Sequence, residues 1–113
     1  MHEYGIVQTL LQRVEEETAG RGAAAVRRIR LRLGELAGVE TELLREAYRV
    51  FRERSVCAQA DLDIVSAPAV WACSRCGAEL PRGARPWCEH CLAPARLIRG
   101  DEIVLERIEL EVA

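Results

Sequence analysis

Four of the five cysteines fall into two Cys-x-x-Cys pairs, Cys73-Ser-Arg-Cys76 and Cys88-Glu-His-Cys91, with eleven residues between them. A two-residue gap lets both sulfurs of a tight turn reach one ion. Two such knuckles supply the four thiolates of a closed tetrahedral zinc site. Four protein ligands leave no open coordination position, so the zinc expected on Cys73, Cys76, Cys88 and Cys91 is structural rather than catalytic. Thiol–disulfide cycling is the other use of Cys-x-x-Cys, but a tetrathiolate metal occupies the same sulfurs and so ranks ahead of it. Four thiolates outweigh a dication by two charges. The stretch from Trp71 to Gly100 holds Arg75, Arg82, Arg85, Arg96 and Arg99 against Glu79 and Glu89, which offsets that excess without any phosphate partner. Cys57 stands alone and reads as a small buried apolar side chain.

The rest of the chain must position this site. At 113 residues it has room for one modest core and a small inserted module. Half the residues are hydrophobic and 30% are charged, which excludes a disordered chain. Charges interrupt every apolar run, so no membrane span is expected. Acidic Glu3 and the lack of a basic opening stretch argue against a secretory signal, and the expected compartment is the reducing cytoplasm, where disulfides do not persist. The net charge is −2, and every basic residue is arginine. A slightly acidic chain is poorly suited to non-specific nucleic-acid binding, which needs a basic surface to release phosphate counterions.

Ile6, Val7, Leu10, Leu11 and Val14 recur at helical spacing, predicting an amphipathic helix from about Tyr4 to Thr18 that ends near Gly20 and Gly22. Ile29, Leu31 and Leu33 alternate with Arg28, Arg30 and Arg32, the mark of a half-buried strand. After a glycine-punctuated loop, Thr41 is placed to cap a second helix with Leu43, Leu44, Ala47, Val50 and Phe51 as its apolar stripe. Ala60, Leu62 and Ile64 alternate with Asp61 and Asp63 in a second strand whose aspartates can lie opposite the arginine row. Pro68 ends that strand, and the cysteine segment follows with Pro81, Pro86 and Pro94. From Glu102 to Val112 the chain returns to strand. Ile103 and Leu105 share one phase while Ile108, Leu110 and Val112 share the other, which predicts a bulge near Glu106 or Arg107. The expected fold class is α+β: two helices packed on a small, mostly antiparallel sheet, with an inserted zinc-ribbon-like module. Residues 1–66 and 101–113 would form the α/β domain and residues 67–100 the zinc-binding module, which has too few large apolar side chains to fold without metal.

The opening Met1-His2-Glu3, the amphipathic helix, the loop Leu33-Gly34-Glu35-Leu36-Ala37-Gly38-Val39-Glu40, the two knuckles and the closing Arg99-Gly100-Asp101-Glu102-Ile103 run together in one order. In that combination the chain resembles, essentially end to end, the HypA/HybF family of nickel-insertion accessory proteins of [NiFe]-hydrogenase maturation. The resemblance implies a nickel-binding α/β domain carrying a zinc domain, with His2 as the essential nickel ligand, Glu3 assisting, and the four paired cysteines on structural zinc. It also implies a GTPase partner, HypB, and the hydrogenase large-subunit precursor as recipient. Members of the family commonly carry proline after the third cysteine. Glu89 stands there in this chain, so a slightly looser second knuckle with the same ligands is expected.

Coordination chemistry is compatible with nickel at that terminus. Nickel(II) favours nitrogen donors and can be square-planar. The amine of Met1, the backbone nitrogen of His2 and its imidazole lie within one short chelate. Either the backbone nitrogen or the carboxylate of Glu3 can complete the plane. His90, the other histidine, either faces solvent or bonds a thiolate; the sharper possibility is that it reaches the nickel. Trp87 is expected to pack on the zinc module. The function that follows is a metallochaperone carrying nickel as cargo, not an enzyme: no Gly-x-x-x-x-Gly-Lys loop and no nucleophile–base pair stands out. The alternative from another class is a zinc-ribbon nucleic-acid module resting on Trp71, Trp87 and the local arginines.

Overall fold

The computed structural model describes residues 2–112, without the side chains of 23, 24 and 112. Helix α1 (His2–Thr18) buries Val7, Leu10, Leu11 and Val14, the stripe its spacing demands. It begins two residues earlier than the apolar pattern indicates, because Glu3 suits a first helical turn: a carboxylate there complements the unpaired amides and the positive end of the helix dipole.

Strand β1 (Ala23–Gly34) follows and is the central strand of the first sheet. Ile29, Leu31 and Leu33 are buried beneath the helices. Arg28, Arg30 and Arg32 lie on the opposite face. Helix α2 (Thr41–Phe51) crosses over to β2 (Asp61–Ala67), which pairs parallel to β1, as a strand–helix–strand connection requires. Strand β6 (Ile103–Val112) pairs antiparallel on the other side of β1, giving the order β2-β1-β6. The arginine row meets the aspartates as expected. Arg28 stands opposite Asp61 and Arg30 opposite Asp63, and Arg28 donates to the Asp63 carboxylate at 3.0 Å. The ladder between β1 and β6 steps from Arg30–Arg107 to Leu31–Leu105, so Glu106 is the extra residue of a bulge.

Helix α2 departs from its expected details. Its N-cap is Glu40, without a side-chain capping bond, and Thr41 is the first helical residue rather than the cap. The buried stripe is Leu44, Ala47 and Tyr48 with Phe51 half-buried, while Leu43 and Val50 are exposed. Tyr48 takes the inner position because its ring has a polar exit: the hydroxyl donates to the Ala60 carbonyl at 2.7 Å. Cys57 is fully buried in the same core, where burial pushes its thiol up.

Residues between β2 and β6 are not only loop. Strands β3 (Val70–Cys73), β4 (Trp87–Cys88) and β5 (Ala93–Arg99) form a second sheet in the order β3-β5-β4, all antiparallel. Three of the four strand pairings among the described residues are therefore antiparallel. The two crossings between the sheets are held tightly. Leu36 donates its amide to the Gly100 carbonyl at 2.6 Å, and Gly34 to that of Glu102 at 2.8 Å. Backbones approach so closely that side chains are excluded. A Cβ on Gly34 would lie 2.4 Å from Gly100 backbone, and one on Gly100 (φ +118°) would lie 2.4 Å from Ala69 Cα.

Candidate metal centres

Each Cys-x-x-Cys pair bends its backbone the same way. Gly77 donates its amide to the Cys73 carbonyl at 3.0 Å, and Leu92 to that of Cys88 at 2.8 Å. The residue after each pair has positive φ, +77° at Gly77 and +54° at Leu92. Glycine takes that conformation freely; Leu92 adopts it against its own Cβ, with its side chain mostly in water. The turns aim amides at the first sulfur of each pair. Arg75 and Cys76 both donate to Cys73 Sγ at 3.3 Å. The second knuckle makes one such bond, Cys91 to Cys88 Sγ at 3.5 Å.

The sheet then brings both knuckles together. Cys73 ends β3 and Cys88 ends β4, and both strands flank β5. All four sulfurs lie within 4.8 Å of one another, with Cys76 and Cys88 Sγ 4.0 Å apart. A tetrahedron with Zn–S bonds of about 2.3 Å has sulfurs roughly 3.8 Å apart. No disulfide links them; all five cysteines are free thiols. The amides of Cys76 and Arg75 hold the Cys73 thiol at about 6, ionised at neutral pH, while hydrogen bonding to the Cys76 sulfur, burial and hydrogen bonding to the Cys73 sulfur push Cys91 up to about 12. Four thiolates at this spacing would repel, and without a cation among them the Cys91 thiol keeps its proton. The donor set thus fits a soft, tetrahedral divalent ion such as zinc.

His2 and Glu3 present a different environment. The His2 imidazole is 63% exposed, whereas the Glu3 carboxylate is 8% exposed, and His2 Nε2 lies 4.0 Å from Glu3 Oε2. Glu3 Oε2 also accepts the backbone amide of Glu40 at 3.2 Å, which ties the start of α1 to the N-cap of α2. That amide is the main cause holding the Glu3 carboxyl below its usual range. The carboxylate is therefore ionised, beside an accessible imidazole, at the first turn of a helix. The amine of Met1 lies outside the described residues.

The two candidate centres are separate. The groove that His2 borders is lined by residues of α1, β1 and β6 alone, and His90 is exposed beside the second knuckle. Trp87 keeps 45% of its surface in water, so it packs on the second sheet only in part. Two of the arginines around the cysteines are engaged. Arg99 pairs with Glu79 at 3.6 Å, and Arg82 grips Glu35 with both guanidinium nitrogens, at 2.9 and 2.6 Å. Glu35 additionally accepts the Ala69 amide at 2.7 Å, and the Arg82 contact holds its carboxyl at about 2. Sequence reasoning missed this ion pair, which clamps the cysteine-bearing sheet to the end of β1. No local pattern marks two residues 47 positions apart as partners.

Residues 1–110 match the family described as "Hydrogenase/urease nickel incorporation, metallochaperone, hypA". The chain belongs to the HypA family. It is 42% identical to the hydrogenase maturation factor HypA of Wolinella succinogenes over 98% of this chain and 96% of that one. It is 36% identical to the HypA of Shewanella halifaxensis over the whole of both. The solution structure of the Ni metallochaperone HypA from Helicobacter pylori superimposes with a TM-score of 0.76 at 30% identity, covering all of both chains. A second solution structure of a HypA protein gives 0.82 at 30% identity. The HypA family comprises nickel metallochaperones of hydrogenase and urease maturation. Among the described residues of this member, no helix is long and apolar enough to cross a membrane.

Proposed function

We propose that this HypA-family protein binds nickel(II) through His2 and Glu3, holds structural zinc on Cys73, Cys76, Cys88 and Cys91, and delivers its nickel to a [NiFe]-hydrogenase precursor. The cysteines make a closed staple that lets residues 67–100 fold as a module on the α/β domain of residues 1–66 and 101–113. No catalysis is assigned to either centre. The observation that carries the nickel reading is the exposed His2 imidazole beside the buried, ionised Glu3 carboxylate, at the start of a helix.

Electrostatics explains why this suits a carrier rather than a store. The N-terminal end of a helix carries partial positive charge and disfavours a cation. The Glu3 carboxylate offsets that charge, and nickel-promoted loss of backbone amide protons at His2 or Glu3 would offset it further. Using the Glu3 carboxylate directly as a ligand requires its bond to the Glu40 amide to yield. Using its backbone nitrogen requires the first helical turn to yield. Either way binding works against local structure, which keeps affinity modest and release easy.

The partners in this reading are the GTPase HypB and the hydrogenase large-subunit precursor, in the cytoplasm. Nucleic acid is not among them. The test is a transfer assay in which nickel-loaded protein is mixed with HypB, GTP and the apo-precursor. Nickel should appear in the precursor with the parent chain and not with His2→Ala. Equal loading by the two would sink the proposal.

A further inference from the structure

We infer that Tyr4 is a positioning residue for nickel: its ring latches the first turn of α1 onto Phe51 at the end of α2, and the ion binds when that turn lifts away. The inference rests on the nickel site proposed above, in the form where the backbone nitrogen of Glu3 completes the chelate. Glu3 is 6% exposed, so its nitrogen is shielded while the turn stays down. A chelate ring through the successive nitrogens of His2 and Glu3 also needs those two atoms eclipsed, a rotation of about 40° from the helical ψ of His2. The turn must therefore rise and uncoil before the plane is complete.

Little inside the helix holds that turn. The first four amides of an α-helix have no intrahelical acceptor, and helix ends fray. Gly5 weakens the turn further. A Cβ there would meet nothing within 4 Å, so packing does not call for glycine, which destabilises a helix relative to alanine. The hold comes from α2, at both of its ends. Just before its first residue, the Glu40 amide donates to the Glu3 carboxylate at 3.2 Å. At its last residue, the Phe51 ring meets the Tyr4 ring edge-on, with centroids 5.6 Å apart and planes at 81°, a favoured arrangement for two aromatics. Phe51 is half-buried and packs against the core, so it is the fixed half of the latch. Tyr4 is 39% exposed and lies outside that core, so it is the moving half. Only the fraction of chains with the turn raised binds, and the apparent dissociation constant is the intrinsic one divided by that fraction. Loosening the latch therefore tightens nickel binding, and stiffening the turn weakens it. A residue that merely supported the fold would move affinity and stability in the same direction.

Nickel calorimetry on the zinc-loaded full chain, with the melting temperature measured alongside, reads both quantities. Tyr4→Ala should lower Kd by about two- to tenfold, the equivalent of one edge-on aromatic contact. Tyr4→Phe keeps the ring and should keep the parent's Kd. Gly5→Ala should raise Kd by about two- to fivefold while raising the melting temperature. In a Phe51→Leu background, Tyr4→Ala should no longer tighten binding, because the two residues act as one contact. Without nickel, backbone relaxation should give lower order parameters at residues 3–5 in Tyr4→Ala than in the parent. Square-planar nickel(II) is diamagnetic, so proton spectra of the loaded chains check the coordination plane. Equal or weaker nickel binding by Tyr4→Ala, tighter binding by Gly5→Ala, or a paramagnetic loaded parent would overturn the inference while leaving nickel at His2. Failure of the parent to bind nickel would instead overturn the proposed site, and this inference with it.

Discussion

Stripping the metal from the cysteine cluster should unfold residues 67–100 and leave the helix-covered sheet standing. The buried apolar side chains of the cysteine-bearing sheet are Ala72, Cys73, Cys88 and Ala93. Small side chains of this kind gain about 1 kcal/mol each on burial, so together they supply about 4 kcal/mol. A structural zinc in a small domain supplies about 10–16 kcal/mol. The metal's share is several times the packing share, and the segment cannot outlast its loss. The other core contains Val7, Leu10, Ile29, Leu31 and Leu44, among others, at roughly 1.5–3 kcal/mol each. The chain supplies its own reporters. Both tryptophans, Trp71 and Trp87, lie in the metal segment, and both tyrosines, Tyr4 and Tyr48, lie outside it. A strong chelator, or Cys76→Ser, should shift the indole emission to that of a solvated chain while the far-ultraviolet helix signal persists. The melting temperature of the helical part should move by no more than about 5 °C, the equivalent of roughly 1 kcal/mol. Indole emission unaffected by complete zinc removal would refute this reasoning, as would loss of the helix signal together with the metal.

Arg82→Ala should leave both sheets folded and still joined by the backbone bonds at Gly34 and Leu36 but less rigidly oriented, read as lower order parameters at residues 81–86 in backbone relaxation. Its pH dependence follows from Glu35, whose carboxyl falls from 4.5 to about 2 in the folded protein. A lowered carboxyl contributes stability that is complete above the ordinary value and is lost as pH falls toward 2. The melting-temperature difference between parent and Arg82→Ala should thus be flat above about pH 5 and shrink below it. Gly100→Ala places a Cβ 2.4 Å from Ala69 Cα at a φ of +118°. It should cost at least about 2 kcal/mol and lower the melting temperature by roughly 10 °C, checked by calorimetric scanning.

Much of this architecture was legible because periodicity and charge register are local. The spacing of Val7, Leu10, Leu11 and Val14 gave α1 its buried face. The alternation of Ile29, Leu31 and Leu33 with arginines gave β1 its two faces, and the phase slip pointed to a bulge near Glu106 or Arg107, which the ladder places at Glu106. The cysteine spacing marked a four-sulfur cluster before any coordinates. What stayed hidden depends on partners distant in sequence. Tyr48 replaces Val50 on the inner face of α2 because a carbonyl waits at Ala60. The Glu3–Glu40 bond recruits His2 and Glu3 into α1. Glu35 and Arg82 pair only once the second sheet has folded back. His90, set between two cysteines, is exposed, as its solvent-facing reading expects.

Nickel titration by calorimetry, parent against His2→Ala, tests the central claim most directly. His2 is exposed at the first turn of α1, clear of both cores, so its removal should leave folding and zinc content unchanged. The parent should bind one nickel per chain and release it as pH falls, since protons compete for the imidazole. His2→Ala should show no stoichiometric nickel binding while retaining one zinc. Nickel binding equal to the parent's in a zinc-loaded His2→Ala chain would contradict the account and move the cargo site away from the start of α1.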